Sequence, residues 1–134
     1  MEGKRRKSRE TVLKLLHSLE MNPKSSQELI DDFCSAHEID SVDDFAIEHF
    51  NGIIQNLDII DNTIKKYAKN WKIERIALID KNIMRIAIFE MTNLTDIPRV
   101  VSINEAVDIA KKYSTKDSGK FVNGILDKIN KDLP

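Results

Sequence analysis

The sequence contains one cysteine, Cys34, so no internal disulfide can form, which fits a reducing cytoplasm. It also lacks any apolar run approaching the ~20 residues needed to span a bilayer. The basic amino terminus is followed by no apolar h-region and no small-residue cleavage site, so it does not read as a signal peptide. In that setting Asn93-Leu94-Thr95 is treated as a chance glycosylation match. Strict apolar/polar alternation is scarce, which argues against strands. Arg99-Val100-Val101-Ser102 is β-prone but has no clear pairing partner.

Catalytic patterns are missing too. There is no phosphate-binding glycine loop, no G-x-G-x-x-G, no H-E-x-x-H and no G-x-S-x-G. His17, His37 and His49 have no metal-ligand spacing with one another or with Cys34. Carboxylates are plentiful, but their pairs sit where helix caps and exposed faces would put them. The chain therefore reads as a non-enzyme with no catalytic residue, metal or cofactor.

Basic residues are absent from one stretch altogether. Residues 26–61 hold ten Asp/Glu and no Lys or Arg, although the net charge of the 134-residue chain is only −1. Residues 1–20 hold six Lys/Arg against three acids, and residues 62–134 hold fourteen against nine. A phosphate backbone would be repelled by the middle block and attracted by the two ends.

What is present is helical spacing throughout one domain, residues 1–134. Val12, Leu16 and Leu19 mark a first helix ending before Asn22-Pro23. Ser25 and Glu28 form a capping box for a second helix reaching about Ala36. Ser41-Val42-Asp43-Asp44 opens a third, and Asp58 and Asp61 mark a break into a fourth. Trp71 is placed at the junction of the fourth and fifth helices, and Asp80 heads the fifth. Ser102-x-x-Glu105 reads as another capping box, and Asp117 or Ser118 as the cap of the last helix. Gly124 falls inside that helix, where it would permit close helix packing.

Two basic helix starts nominate a nucleic-acid surface. One is Lys4-Arg5-Arg6-Lys7-x-Arg9; Arg6, Leu13 and His17 share an angular position, since eleven residues make about three turns. The other is Lys116, Asp117, Ser118 and Lys120 beside Phe121, where free N–H groups and the helix dipole favour an anion and an aromatic ring can stack on a base.

At these residues the chain resembles the NusB transcription antitermination family. Arg6-Lys7-Ser8-Arg9-Glu10 is similar to the family's basic start. Trp71-x-x-Glu74-Arg75-Ile76 and Asp80-Lys81-x-Ile83-Met84-Arg85-Ile86-Ala87-x-Phe89-Glu90 are similar to its middle motif. Asp96-Ile97-Pro98 through Phe121-Val122-Asn123-Gly124-Ile125-Leu126-Asp127 matches its most specific part. The resemblance implies an all-α fold of about seven helices in two small packed bundles. It implies binding of boxA-type single-stranded leader RNA together with the ribosomal protein NusE, within an antitermination complex on RNA polymerase. It also places Arg6, Arg9, Lys120 and Phe121 on the RNA surface, with Asp117 and Ser118 beside it. Glu74, Asp80 and His17 would lie near the NusE contact. One departure is His17, where many members carry Tyr. Two alternatives stand beside this reading: a protein-interaction or homodimerisation domain, and the related helical domain of ribosomal RNA methyltransferases in truncated or split form.

Overall fold

The computed structural model describes residues 2–70 and 72–134, so Trp71 lies outside the described residues. Seven α-helices occur among them: α1 (Glu2–Met21), α2 (Ser26–His37), α3 (Asp44–Gln55), α4 (Leu57–Tyr67), α5 (Leu78–Asn93), α6 (Arg99–Tyr113) and α7 (Lys116–Asp132). A 3-10 turn, Ile73–Arg75, precedes α5. No strand occurs among the described residues, and none of their helices is long and apolar enough to cross a membrane.

The organising element is α5. Asn82 through Met91 are all buried, an all-round burial that only a central helix meets. Helices α1 and α3 pack on one side of α5, with α2 against α1; α4, α6 and α7 pack on the other. These are the two expected bundles, sharing one core. Helix α3 approaches α5 at Gly52, where an added Cβ would overlap the Phe89 ring.

The predicted first two helices and the Ser25–Glu28 box are present, and Asp43 caps α3 by accepting from the Ala46 N–H. Five local expectations are corrected. The α3/α4 break falls at Asn56, whose amide side chain donates to the Gly52 carbonyl at 2.8 Å; Asp61 instead pairs with Arg85 at 2.8 Å. Asp80 is the third residue of α5 rather than its cap, a position held by Ala77. Ser102 and Glu105 are not a capping box, because α6 begins at Arg99 after Pro98 and both side chains turn inward to buried charges. Thr115, not Asp117 or Ser118, caps α7. Gly124 meets no heavy atom within 4 Å of a built Cβ, so it packs against no helix.

Gly52 and Gly124 therefore predict opposite results. Gly52→Ala should lower unfolding free energy by about 1–3 kcal/mol through overpacking. Gly124→Ala should raise it by roughly 0.5–1 kcal/mol through helix propensity. Urea denaturation of both variants checks the pair; equal effects would contradict the packing described.

Candidate nucleic-acid interface

The amino-terminal basic cluster is divided by the fold. Arg9 is 3% exposed. Its guanidinium donates to Glu90 Oε2 at 2.7 Å and Oε1 at 2.9 Å, and to Glu105 Oε1 at 3.3 Å. Glu90 also accepts from Ser102 Oγ at 2.6 Å, and His49 Nε2 lies 2.8 Å from it. Burial alone would raise the Glu90 carboxyl, but His49, Arg9 and Ser102 together outweigh it and hold it at about 2. Arg9 is thus the internal counter-ion joining α1 to α5 and α6, and its placement on an RNA surface is corrected. Arg6, half-buried, is bound by Glu105 through both carboxylate oxygens at 2.8 and 2.5 Å, and by Asp108 at 2.9 Å. Two carboxylates around one guanidinium leave it little attraction for phosphate. Lys4, Arg5 and Lys7 remain exposed, with Arg5 lying 4.9 Å over the Phe45 ring.

At the other candidate site, Thr115 Oγ1 accepts from the Ser118 N–H at 3.0 Å and so fixes the start of α7. Lys116, Asp117 and Lys120 are exposed, and Phe121 is half-buried. Ser118 turns its hydroxyl inward to Asp80 Oδ2 at 3.1 Å and to Ser114 Oγ at 2.8 Å. Asp80 is itself buried, which raises its carboxyl above the usual range despite the opposing Ser118 hydrogen bond. Asp80, which the resemblance sets near the partner contact with Glu74 and His17, is buried beneath Ser118.

The two basic helix starts are not joined. Arg6 meets α6 at Glu105 and Asp108, whereas α7 starts beyond the far end of α6. The fold instead sets Lys120 and Phe121 against the end of α4. A cleft of about 680 Å³ runs there, walled by Lys66, Tyr67 and Lys69 on one side and Lys120, Phe121 and Lys128 on the other. Lys131 and Asp132 close one end. The Tyr67 hydroxyl donates to Asp132 Oδ2 at 2.5 Å, and Lys131 pairs with Asp127 at 3.1 Å. Exposed lysines on two facing helices with an aromatic ring from each make a groove for a phosphate chain and stacked bases. Sequence reasoning missed Lys66, Tyr67, Lys69, Lys128 and Lys131. A signal existed on α7, where Lys120, Gly124, Lys128 and Lys131 recur at helical spacing.

His17 and Glu74 are both exposed but do not share a site. His17 stands at the rim of an apolar cleft of about 430 Å³ whose walls include Leu13, Phe33, Leu78, Ile79 and Tyr113. Glu74 sits in the 3-10 turn. No group of three His, Cys, Asp or Glu among the described residues could hold a metal ion.

A sequence model of the NusB family matches residues 6–131. The chain is 47% identical over 140 aligned positions to the transcription antitermination protein NusB of Thermodesulfovibrio yellowstonii, covering 96% of this chain and 93% of that one. It is 44% identical to the protein of the same name from Methylacidiphilum infernorum, covering 96% and 91%. Among solved structures it is similar to NusB of T. maritima, with TM-score 0.82, 37% identity and coverage of 96% and 91%. It is also similar to a chain in a crystal structure of antitermination factors NusB and NusE in complex with dsRNA, with TM-score 0.86, 25% identity and coverage of 99% and 100%.

Proposed function

This chain belongs to the NusB family, and from that premise we propose that it is a transcription antitermination factor that binds boxA-type leader RNA together with NusE. It works without catalysis, as part of an antitermination complex on RNA polymerase in the cytoplasm. The observation that carries the RNA part is the lysine groove between α4 and α7, with Tyr67 and Phe121 in its walls. Lysines hold the sugar–phosphate chain, and the two rings offer stacking faces to unpaired bases. The acidic block 26–61 contributes to α2, α3 and the start of α4, and none of its residues lines this groove. The names of the matched relatives favour this reading over a methyltransferase domain.

In this reading the partner docks in the apolar cleft rimmed by His17. Its floor includes Asn82, whose amide oxygen accepts from Arg85 at 2.8 Å and whose buried Nδ2 has no hydrogen-bond partner. A carbonyl from a docked protein would satisfy that donor. Fluorescence anisotropy of labelled boxA-type RNA, with and without NusE, tests the function directly. NusE should tighten binding; no RNA binding in either condition would defeat the proposal. His17→Glu should weaken NusE binding about fivefold or more by setting a charge at the rim of an apolar contact. The same change should leave stability within about 0.5 kcal/mol, because His17 is exposed. Unaltered NusE affinity would remove this cleft from the interface.

A further inference from the structure

We propose that Asp132 is a positioning residue of the lysine groove: through the Tyr67 hydroxyl it holds the Tyr67 ring ready for a base to stack on it. This rests on the RNA-binding reading and adds to it a device at the far end of the groove. Eleven residues, roughly 16 Å of helix, separate Asp132 from Phe121 along α7.

Two observations carry the assignment. The first is how the ring is held. Tyr67 is the last residue of α4 and Asp132 the last of α7, 65 positions apart in the chain. The hydroxyl donates to Asp132 Oδ2 at 2.5 Å, a charge-assisted bond that ties the tip of the ring to the facing helix. The side chain is half-buried and packs against the core, and Lys66 Nζ lies 5.4 Å over the ring centroid. The ring is thus held at its base, at its tip and over one face.

The second is where the carboxylate stands. Asp132 sits at the carboxyl end of α7, where the helix dipole disfavours a negative charge. Among the described residues that line the groove it is also the one carboxylate, against five lysines. A free carboxylate there would repel a phosphate chain. Its hydrogen bond runs to the Tyr67 hydroxyl, while the neighbouring Lys131 pairs with Asp127. A tyrosine at a helix end can otherwise turn about two side-chain torsions, and a stacking base would have to stop that motion. A ring already held spares the base that entropy cost.

Two substitutions separate the hydrogen bond from the charge. Asp132→Asn and Asp132→Ala remove the same charge, but only Asn keeps an oxygen that can accept from the hydroxyl. In fluorescence anisotropy with labelled boxA-type RNA, the Ala variant should bind about fivefold more weakly than the Asn variant, part of what one stacked base contributes. With Tyr67→Phe added to each, the ring remains and the hydroxyl is gone, so the two should bind equally. The slope of log affinity against log salt should be the same for all four variants, because every lysine is kept. Inorganic polyphosphate, a phosphate chain without bases, should compete equally for the Asn and Ala variants. Asp132 is exposed, so all four should fold, as checked by circular dichroism and melting. Equal RNA affinity of the Asn and Ala variants overturns the proposal and leaves Asp132 as a charge only. A difference that persists after Tyr67→Phe, or that extends to polyphosphate, overturns it too. In those cases the unaltered chain still binds RNA. No binding by the unaltered chain at low salt would remove the RNA-binding reading itself, and this inference with it.

Discussion

Arg9→Ala is expected to lower the unfolding free energy at neutral pH by about 3–5 kcal/mol, the range for stripping one partner from a buried ion pair. Both groups are out of water: Arg9 is 3% exposed and Glu90 is 0% exposed. Removing the guanidinium leaves Glu90 charged in the core, with only His49 and Ser102 to hold it. The pH dependence has a definite sign. Glu90 titrates at about 2 in the folded chain against an ordinary value of 4.5, so its contribution is present in full above 4.5 and is lost as pH falls through 2. The stability gap between the native chain and Arg9→Ala should therefore be widest at neutral pH and narrow across that window. Urea denaturation at a series of pH values measures it. Unchanged stability with weakened RNA binding would return Arg9 to the RNA surface and contradict the buried network.

The second large effect is expected in RNA binding. Replacing Lys66, Lys69 and Lys128 together with Ala removes three exposed charges from the walls of the groove without breaking any ion pair seen among the described residues. Each lysine–phosphate pairing removed from a single strand lowers the slope of log affinity against log salt by about 0.7. Removing three lowers it by about 2, so the affinity ratio between 50 and 200 mM salt shrinks roughly 16-fold. Unfolding free energy should shift by no more than about 0.5 kcal/mol per site, since all three residues are exposed. A slope equal to that of the native chain would place the RNA elsewhere. The same titration with Lys4 and Lys7 replaced measures what remains of the amino-terminal cluster.

The candidate surface was legible only in part. Lys116, Lys120 and Phe121 were nominated by their place at a helix start, and Lys120 and Phe121 do stand in the wall of a groove. Arg6 and Arg9 were nominated by the same reasoning, yet one is held by two carboxylates and the other is buried. A run of basic residues gives charge and helical phase, but not the carboxylates that another helix brings to meet it. Glu105 is nearly a hundred positions from Arg6 in the chain and 2.5 Å from it in space. Ser102 and Glu105 were misread for the same reason. Their spacing fits a capping box, but a buried Glu90 and two guanidiniums compete for those side chains more strongly than free backbone N–H groups at a helix end.

By itself the sequence determined the all-α class, most helix boundaries, the central acidic block and the family. Those follow from local signals: apolar spacing near 3.6 residues, the Ser25–Glu28 box and the motifs around residues 71–90 and 96–127. Tertiary structure alone decided which charges are free. Packing α1 against α5 and α6 turned Arg9 into an internal counter-ion, because a guanidinium removed from water has to find carboxylates. Packing α4 against α7 made a groove from lysines that are ordinary surface residues in either helix alone. The start of α7 over α5 buried Asp80 and left one of its oxygens without a donor. Each of these depends on long-range approach between helices, and periodicity within one helix carries no information about what faces it.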